Sequence, residues 1–585
     1  MQRSYLLDVL KGIAIIFVIL FHAGIFTYGY LGVEIFLVIA GYLTTGSILR
    51  AYERDGFEYW RFILNRLVRL WPLLVIISLV ALVLGYFCML PDSYKNTSET
   101  SLGTLLFLNN FVQYITAGDY WDVSNDYKPL MHTWYVGILF QFYLVYPWVL
   151  MVTHRCSRDW KRLSVIVLLA IGILSLAFYM IPQVPDSFHF YMLPSRLFEF
   201  AFGGIIALLP SNISSRWKAN QKIAVGLILI LLILLFGINI DHNKLLVFMT
   251  VAVTAWILYV HVQSEQTLEQ WNIKLITKLG VASYSLYLWH QVIFAFYRYA
   301  INYNLTVWEY VLLIGGSLVA GYLSYLLIEL PLGRIVKRTG RGQTVILIVC
   351  LIFVTLLGYT SLRLYFHHGV VRNVSELGIY KDNPTSWEPQ EYNDAVNRCN
   401  IDFPNNGKKN VLVVGDSYGR DWYNILHEAQ IDRSANLAYC DAGDSILRKR
   451  IVHADLVFLA THGDFSKFEN YLPQMMSKSF YRVGDKKFFS TAGVIYNHGR
   501  GLYYQQGIPI PNEIIQYNKE QQCVFGDRFI DIMNVIKKSD GTCRVFTPDS
   551  MLISHDGLHL TKAGAKYFAK HLNITHFLSK CQHAQ

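Results

Sequence analysis

The sequence predicts a helical membrane domain of about eleven spans followed by a water-soluble domain, and three observations support this prediction. The 585 residues are 53% hydrophobic and only 16% charged, which is too apolar for an ordinary soluble protein. Long apolar runs separated by short charged loops continue to residue 366. The segment after residue 366 has the composition of a soluble domain.

Eleven stretches satisfy the length that a membrane crossing needs, which is about 20 mostly apolar residues over roughly 30 Å of hydrocarbon. They are 12–28, 31–49, 70–90, 132–152, 163–181, 197–210, 222–240, 244–262, 283–300, 308–330 and 343–365. We therefore divide the chain into a membrane domain with ten spans at 1–342, an additional span at 343–366, a connector at 367–409 and an outer domain at 410–585.

Lysine and arginine are concentrated in the even-numbered loops, as shown by Arg50, Arg54 and Arg61 in the second loop. Basic loops stay in the cytoplasm, so an odd number of spans places the amino terminus inside and residues 367–585 outside. The formal net charge of +10 is explained by this topology, and we expect the bilayer, not a nucleic acid, as the partner.

Three titratable residues interrupt the first two spans. Lys11 and His22 are eleven residues apart, so they project from one helix face about 16 Å apart along the axis. Glu34 is expected at the depth of His22, where it would orient the imidazole or raise its proton affinity. The alternative for His22 is a structural role, in which the imidazole forms a hydrogen bond between packed helices. We favour catalysis, because intramembrane charges are costly and usually functional.

Two arginines, Arg66 and Arg69, close the second loop. Residues three apart face one side of a helix, and paired guanidinium groups suit phosphate oxygens. The alternative is that both only determine which loop stays in the cytoplasm.

The soluble segment contains a serine at a turn from strand to helix. The run 411–414 has the pattern of a buried strand, and Gly-Asp-Ser417 follows it. Asp556-x-x-His559 precedes a helix-like stretch at 563–572. These residue types suit a nucleophile at Ser417, a general base at His559 and, at Asp556, a group that sets the imidazole tautomer.

The motifs of the membrane part resemble the membrane acyltransferase family 3 over nearly all of residues 5–333. The resemblance implies that His22 is the catalytic acid and base and that Arg66 and Arg69 contact an acyl-CoA donor. The sequence differs from the usual family pattern at Lys11, Glu34, Ala40, Leu139 and Phe140. The motifs are Asp8-x-Leu10-Lys11 through His22, the run from Gly32 to Tyr42 that contains Glu34, Arg66-x-x-Arg69, His132-Thr133-Trp134, Arg196 with Glu199, Ser283 to His290, and Glu329-x-Pro331.

The serine and the later Asp-x-x-His resemble the SGNH hydrolase superfamily, and this resemblance implies a three-layer α/β/α fold. It also implies Gly443 and Gly463 as oxyanion glycines, although no Asn occupies 459–463, so a backbone N–H near His462 is the expected substitute. The Arg448-Lys449-Arg450 run is expected on the solvated surface. None of the eight cysteines has a metal-ligand spacing, so no metal is expected.

A fusion of these two families resembles bacterial enzymes that O-acetylate cell-surface polysaccharides. The resemblance implies transfer from cytoplasmic acetyl-CoA across the inner membrane to a hydroxyl of an envelope glycan, with lipopolysaccharide O-antigen as the expected acceptor. Peptidoglycan is the alternative acceptor. Two other functions stay open, namely a glycan O-acetyl esterase in the outer domain and a transporter or scaffold in the membrane.

Overall fold

The computed structural model describes residues 4–54, 56–116, 125–210, 222–223, 225–227, 229–230, 243–264, 274–338, 340–371, 373–374, 379–382, 389–441, 446–462, 466–489, 495–497, 503–554, 556–574 and 576–577. The chain forms two units. The membrane unit comprises Met1–Phe87, Ser93–Arg298 and Asn302–His367, and the C-terminal unit comprises Cys88–Asp92, Tyr299–Ile301 and His368–Gln585.

Helices dominate the chain up to residue 366. They are α1 Tyr5–His22, α2 Gly32–Tyr52, α3 Tyr59–Cys88, α4 Pro91–Leu105, α5 Asn109–Thr116, α6 Trp134–Cys156, α7 Trp160–Tyr179, α8 Asp186–Tyr191, α9 Leu193–Leu208, α10 Asn243–Ser264, α11 Lys274–Val281, α12 Ser283–Ala300, α13 Val307–Ser324, α14 Leu330–Arg338 and α15 Gly340–Phe366. A π-helical segment, Tyr325–Glu329, joins α13 to α14.

Among the described residues, eight helical segments are long and apolar enough to cross a membrane. They are Tyr5–His22, Thr27–Tyr52, Tyr59–Cys88, Met131–Cys156, Trp160–Tyr179, Lys244–His261, Val307–Ile335 and Arg341–Phe366. These segments confirm that the chain is a membrane protein with several apolar helices before residue 367. The count of eleven stays a prediction. The expected spans 197–210 and 283–300 correspond to α9, of 16 residues, and α12, while most of 222–240 lies outside the described residues.

Helices α2 and α9 approach each other closely enough that only glycine fits at two facing positions. A Cβ atom on Gly41 would lie 2.0 Å from the Phe200 carbonyl oxygen, and one on Gly203 would lie 1.9 Å from the Val38 carbonyl oxygen. Real Cβ atoms do not approach so closely, so the two backbones are in direct contact.

The C-terminal unit contains a parallel sheet. Its strands are β1 Lys409–Gly415, β2 Ala435–Cys440, β3 Leu456–Ala460, β4 Ser479–Val483 and β6 Phe529–Ile530, in the order β2-β1-β3-β4-β6. All four strand pairs are parallel. Two further strands, β5 Gly507–Pro509 and β7 Thr542–Arg544, form an antiparallel pair. The strand expected at 411–414 is confirmed as part of β1.

Both faces of the parallel sheet are covered by helices. The helices of the C-terminal unit are α16 Pro389–Asp394, α17 Ser417–Glu428, α18 Ile431–Ser434, α19 Leu447–His453, α20 Leu472–Met476, α21 Asn512–Phe525 and α22 Lys562–His571. Val411 and Val413 share a core with α17 and α22, whereas Leu412 and Val414 share another with α19 and α20. The run 411–414 of β1 is continuously apolar because it is buried on both faces.

Arg450 is a correction to the expectation of a solvated basic run. Its side chain is 3% exposed and donates to the Tyr439 carbonyl oxygen at 3.0 Å and to the side-chain oxygen of Asn400. Arg450 therefore stabilises the end of β2, while Lys449 beside it remains exposed.

We predict that Gly41→Ala destabilises the membrane unit, because its Cβ would overlap the Phe200 carbonyl group. Overpacking of this kind costs about 1–3 kcal/mol. Gly315→Ala in α13 is the matched control, because a Cβ there meets no atom within 4 Å. Melting temperatures from size-exclusion chromatography after heating should fall for Gly41→Ala alone. Equal melting temperatures for the two variants would contradict the close approach of α2 and α9.

Candidate active site

Ser417 begins helix α17 directly after strand β1. Asp416 caps the helix by accepting a hydrogen bond from the Tyr418 backbone N–H at 2.8 Å. The chain passes from β1 to β2 on one side and then to β3 on the other, so Ser417 lies where the strand order reverses. Ligands of open parallel sheets bind at such a point, at the carboxyl ends of the strands.

Three side chains form a continuous hydrogen-bond chain at this edge. His559 Nε2 lies 3.0 Å from Ser417 Oγ, and His559 Nδ1 lies 2.5 Å from Asp556 Oδ2. The imidazole is fully buried and the serine is 6% exposed. A serine, a buried imidazole and a carboxylate in this order can remove the hydroxyl proton and stabilise the resulting imidazolium.

The Asp556 carboxylate is held in its ionised form by its own loop. Oδ1 accepts from the backbone N–H groups of Leu558 and His559, both at 2.8 Å. Burial acts to raise the pKa of Asp556, but interaction with His559 and these N–H donors lowers it to about 2. The carboxylate is therefore charged at neutral pH and orients the imidazole.

Gly557 is required by the shape of this loop. Its φ is +85°, and a Cβ there would lie 1.7 Å from the Phe489 carbonyl oxygen. The Gly557 carbonyl oxygen accepts from the Phe488 backbone N–H at 2.6 Å. The glycine thus lets the Asp-Gly-Leu-His segment pass directly against residues 488–489.

A second histidine–aspartate pair lies at the same edge, where β3 ends. His462 Nδ1 is 3.1 Å from Asp485 Oδ1, with the imidazole 43% exposed and the carboxylate 4% exposed. The pKa of His462 is raised, mainly by its hydrogen bond with Asp485. Burial and the charge of Lys486 lower this pKa, whereas the negative charges of Asp485 and Asp416 raise it further. Protonated His462 would place positive charge near the serine.

The oxyanion assignments remain predictions. Gly443 and Gly463 lie outside the described residues. The His462 backbone N–H donates to Asp416 Oδ2 at 3.0 Å, so that particular donor is already used. The expectation of a backbone N–H donor near His462 stays a prediction.

In the membrane unit, a cavity of about 630 Å³ brings Lys11, Arg66 and Arg69 to one site, together with Glu329. The Arg66 guanidinium lies over the rings of Phe62 and Tyr143, at 4.8 and 4.9 Å from their centroids. Its buried Nε has no hydrogen-bond partner among the described residues. The cavity therefore offers cationic side chains to an anionic ligand.

Three histidines from different helical segments gather in the same unit. The ring of His290 lies 5.0 Å from that of His22 and 5.2 Å from that of His132. Both ring nitrogens of His290 are buried without a hydrogen-bond partner in the described part of the chain. Tyr287 lines the cavity and donates its hydroxyl to the His132 carbonyl oxygen at 2.5 Å, which connects the histidines to the cavity.

Glu34 has a different partner from the one that we expected. Arg196 Nη1 donates to both Glu34 carboxylate oxygens, at 3.0 and 2.9 Å, and to Glu199 at 2.9 Å. All three side chains are 2% exposed or less. Glu34 is thus part of an ion cluster that joins α2 to α9. The ring of His22 instead lies beside the rings of His290 and Phe21.

Sequence reasoning missed several residues beside these sites. Arg298 donates to the His22 carbonyl oxygen at 2.7 Å. Asp421 and Lys486 form a buried ion pair next to the triad. Of these three residues, Asp421 alone could have been found from the local sequence, because it lies one helical turn after Ser417. The contacts of Arg298 and Lys486 join distant parts of the chain.

A family model described as an acyltransferase domain, of acyltransferase family 3, matches residues 4–326. The peptidoglycan O-acetyltransferase OatA of Listeria monocytogenes is 26% identical over 57% of this chain and 56% of its own length. The putative membrane-bound transacylase BcsY of Komagataeibacter xylinus is 27% identical over 61% of this chain and 91% of its own length.

The O-acetyltransferase OatA of Staphylococcus aureus is 26% identical over 59% of this chain and 61% of its own length. The chain thus spans less than two thirds of both OatA relatives. No solved structure matches the chain.

We predict that Asp485→Asn destabilises the protein in a pH-dependent way. Because the pKa of His462 is raised above its usual 6.5 in the folded state, the interaction stabilises fully below about pH 6.5 and is lost as pH rises through the raised value. The loss should be below about 1 kcal/mol, since the imidazole is partly exposed. Melting temperatures at pH 6 and pH 9 measure it.

The control is Asp432→Asn, which breaks the exposed pair of His427 and Asp432. This variant should leave the melting temperature unchanged at both pH values, because exposed pairs contribute little. An Asp485→Asn effect of the same size at pH 6 and pH 9 would contradict the proposed charge on His462.

Proposed function

Because the chain belongs to the membrane acyltransferase family 3, we propose that it transfers an acetyl group from cytoplasmic acetyl-CoA across the bacterial inner membrane to a hydroxyl of an envelope polysaccharide. One observation carries the proposal. The chain that contains the family's membrane domain also contains a buried Ser417–His559–Asp556 hydrogen-bond chain, which is the arrangement needed to accept and pass on an acyl group.

The cavity of the membrane unit supports acyl-CoA as the donor. Its volume of about 630 Å³ lies within the range of small-molecule sites, which is about 300–1,000 Å³. Lys11, Arg66 and Arg69 supply charge for the phosphates of the coenzyme, and the buried Nε of Arg66 has a hydrogen bond to give. In the topology proposed from the basic loops, these residues lie at the cytoplasmic side.

His22 is proposed as the acid and base of the membrane step. The nitrogens of His290 beside it have no hydrogen-bond partner among the described residues, and Tyr287 links His132 to the cavity. Both observations support a polar path between the donor site and the histidines. Such buried polar groups are costly in an apolar medium unless they serve a function. Arg196 and Glu34 contribute by holding α2 against α9.

The C-terminal unit completes the transfer in this proposal, as an SGNH-like domain outside the membrane. Ser417 Oγ attacks the acetyl carbonyl carbon while its proton moves to His559 Nε2, and the bond from that carbon to the group that delivered the acetyl breaks as this group takes the proton from His559. The acceptor hydroxyl then gives its proton to His559 and attacks the carbonyl carbon of acetyl-Ser417, and Ser417 Oγ leaves with the proton that His559 returns. The order of the three residues and the helices on both sheet faces support the assignment.

The acceptor is proposed to be a polysaccharide of the envelope, with lipopolysaccharide O-antigen as the first candidate. Peptidoglycan is the second candidate, and the name of the Listeria monocytogenes relative, a peptidoglycan O-acetyltransferase, favours it. Water competes with a sugar hydroxyl for the same acetyl-serine. Esterase activity is therefore the outcome expected when no acceptor is present.

We predict that Ser417→Ala removes one of the two half-reactions and that His22→Ala removes both. Ser417→Ala should abolish acetylation of the envelope glycan, because no acetyl-serine can form, and should leave CoA release by the membrane unit. His22→Ala should abolish both. Chromatography of labelled acetyl-CoA with full-length protein in liposomes measures CoA release, and mass spectrometry with NMR of glycans from expressing cells measures acetylation and identifies the acceptor.

The controls are Ser434→Ala and His154→Ala, which change exposed residues in the same two units. Both should retain the two activities. Normal glycan acetylation by Ser417→Ala would exclude the serine relay. Unchanged acetyl-CoA consumption by His22→Ala would exclude His22 as the acid and base of the membrane step. No CoA release by the wild-type protein would favour a transporter or scaffold.

We predict that Arg66→Gln raises the KM for acetyl-CoA by about 10-fold to 100-fold. A charge-assisted hydrogen bond is worth about 1.5–3 kcal/mol, and 1.4 kcal/mol corresponds to tenfold. Arg61→Gln is the control, because Arg61 is on the same helix but does not line the cavity. Initial rates of CoA release over a range of acetyl-CoA concentrations test this. Equal KM values for both variants would place the donor elsewhere.

A further inference from the structure

A buried ion pair lies next to the triad and has no part in the mechanism so far. Lys486 Nζ is 2.8 Å from Asp421 Oδ2, and the two side chains are 2% and 1% exposed. Lys486 follows β4, whereas Asp421 is on α17, one helical turn after Ser417. The pair therefore joins the helix of the serine to a separate part of the sheet edge.

Asp421 contacts both sides of the active site. Its Oδ2 also accepts from the Leu560 backbone N–H at 3.2 Å, directly after His559. Its Oδ1 accepts from Asn393 Nδ2 at 2.8 Å, and the same Nδ2 donates to the Ser417 carbonyl oxygen at 2.8 Å. One carboxylate is thus linked to the backbone beside the nucleophile and beside the base.

Lys486 completes the arrangement from the other side of His559. Its Nζ donates to the Leu558 carbonyl oxygen at 2.5 Å, and the ammonium lies 3.5 Å from the centroid of the Tyr418 ring. The two charged groups therefore hold Leu558 and Leu560, the residues on either side of His559, while they are bonded to each other.

A buried ion pair is a poor device for stability alone, because desolvation offsets much of the attraction and a well-packed apolar pair often serves as well. Its advantage is geometric, since each charged group accepts or donates only in defined directions. Ser417 and His559 are 142 residues apart, so only noncovalent contacts keep their side chains at 3.0 Å.

We propose that Lys486 and Asp421 are positioning residues, whose ion pair holds the Leu558–Leu560 segment on α17 so that His559 can accept the proton of Ser417. This inference rests on the proposed function of the serine. In the step concerned, a bond forms between Ser417 Oγ and the acyl carbon, the proton moves from Oγ to Nε2, and the leaving group departs with that proton.

The test uses full-length protein in nanodiscs with p-nitrophenyl acetate as the probe, since the burst of p-nitrophenolate reports acylation of Ser417. The informative variant is Lys486→Met with Asp421→Leu, which leaves no unpaired buried charge and therefore favours a folded protein. We expect its limiting acylation rate to fall at least about tenfold, because small misplacements of reacting groups are costly. The probe concentration at half saturation should change less than about twofold.

The single variants Lys486→Met and Asp421→Leu test whether the two residues act as one unit. Each should slow acylation, and the double change should slow it by much less than the product of the two single effects, because both break one contact. Lys487→Met changes the neighbouring lysine and should acylate at the wild-type rate. Melting temperatures above the assay temperature establish that each variant is folded.

A wild-type acylation rate in the folded Lys486→Met, Asp421→Leu variant would overturn the positioning role. A lower rate with a matching rise in half-saturating concentration would also overturn it, because that result indicates a damaged binding site. The same rate of p-nitrophenolate release from Ser417→Ala as from the wild type would instead overturn the proposed function of the serine.

Discussion

The proposed chemistry of the C-terminal unit depends on one noncovalent contact, the 3.0 Å hydrogen bond between Ser417 and His559. A parallel sheet makes this contact possible, because all its strands end at the same edge and deliver their following residues to one place. Asp556 supplies the charge that orients the imidazole, and Gly557 lets the loop pass close to Phe489. The buried ion pair of Asp421 and Lys486 contacts the residues on either side of His559.

The membrane unit is governed by the cost of charge in an apolar medium. The charge of Arg196 is offset by ion pairs with Glu34 and Glu199. The close approach of α2 and α9 at their glycines brings Arg196 within reach of Glu34. The cavity with Arg66 differs, because its guanidinium lies against aromatic rings and keeps a buried N–H without a partner in the described part of the chain. The ion cluster of Arg196 stabilises helix packing, whereas the cavity with Arg66 suits an anionic ligand.

Local patterns were sufficient for some predictions and not for others. The strand at 411–414 was predictable because a strand buried on both faces must be continuously apolar. The partner of Glu34 was not, since Arg196 is 162 residues away and only helix packing selects it. The buried position of Arg450 was missed for a similar reason, because its partners Tyr439 and Asn400 lie on other segments.

The sequence by itself determined the membrane character of the chain, its acyltransferase family and the residue types of the candidate sites, because hydrophobicity and short motifs are local properties. Only the tertiary structure decided which of these residues meet. It joined Ser417 to His559, Lys11 to Arg66 and Arg69 in one cavity, and Lys486 to Asp421. Such contacts arise from the packing of elements far apart in the chain, and no local pattern encodes their distances.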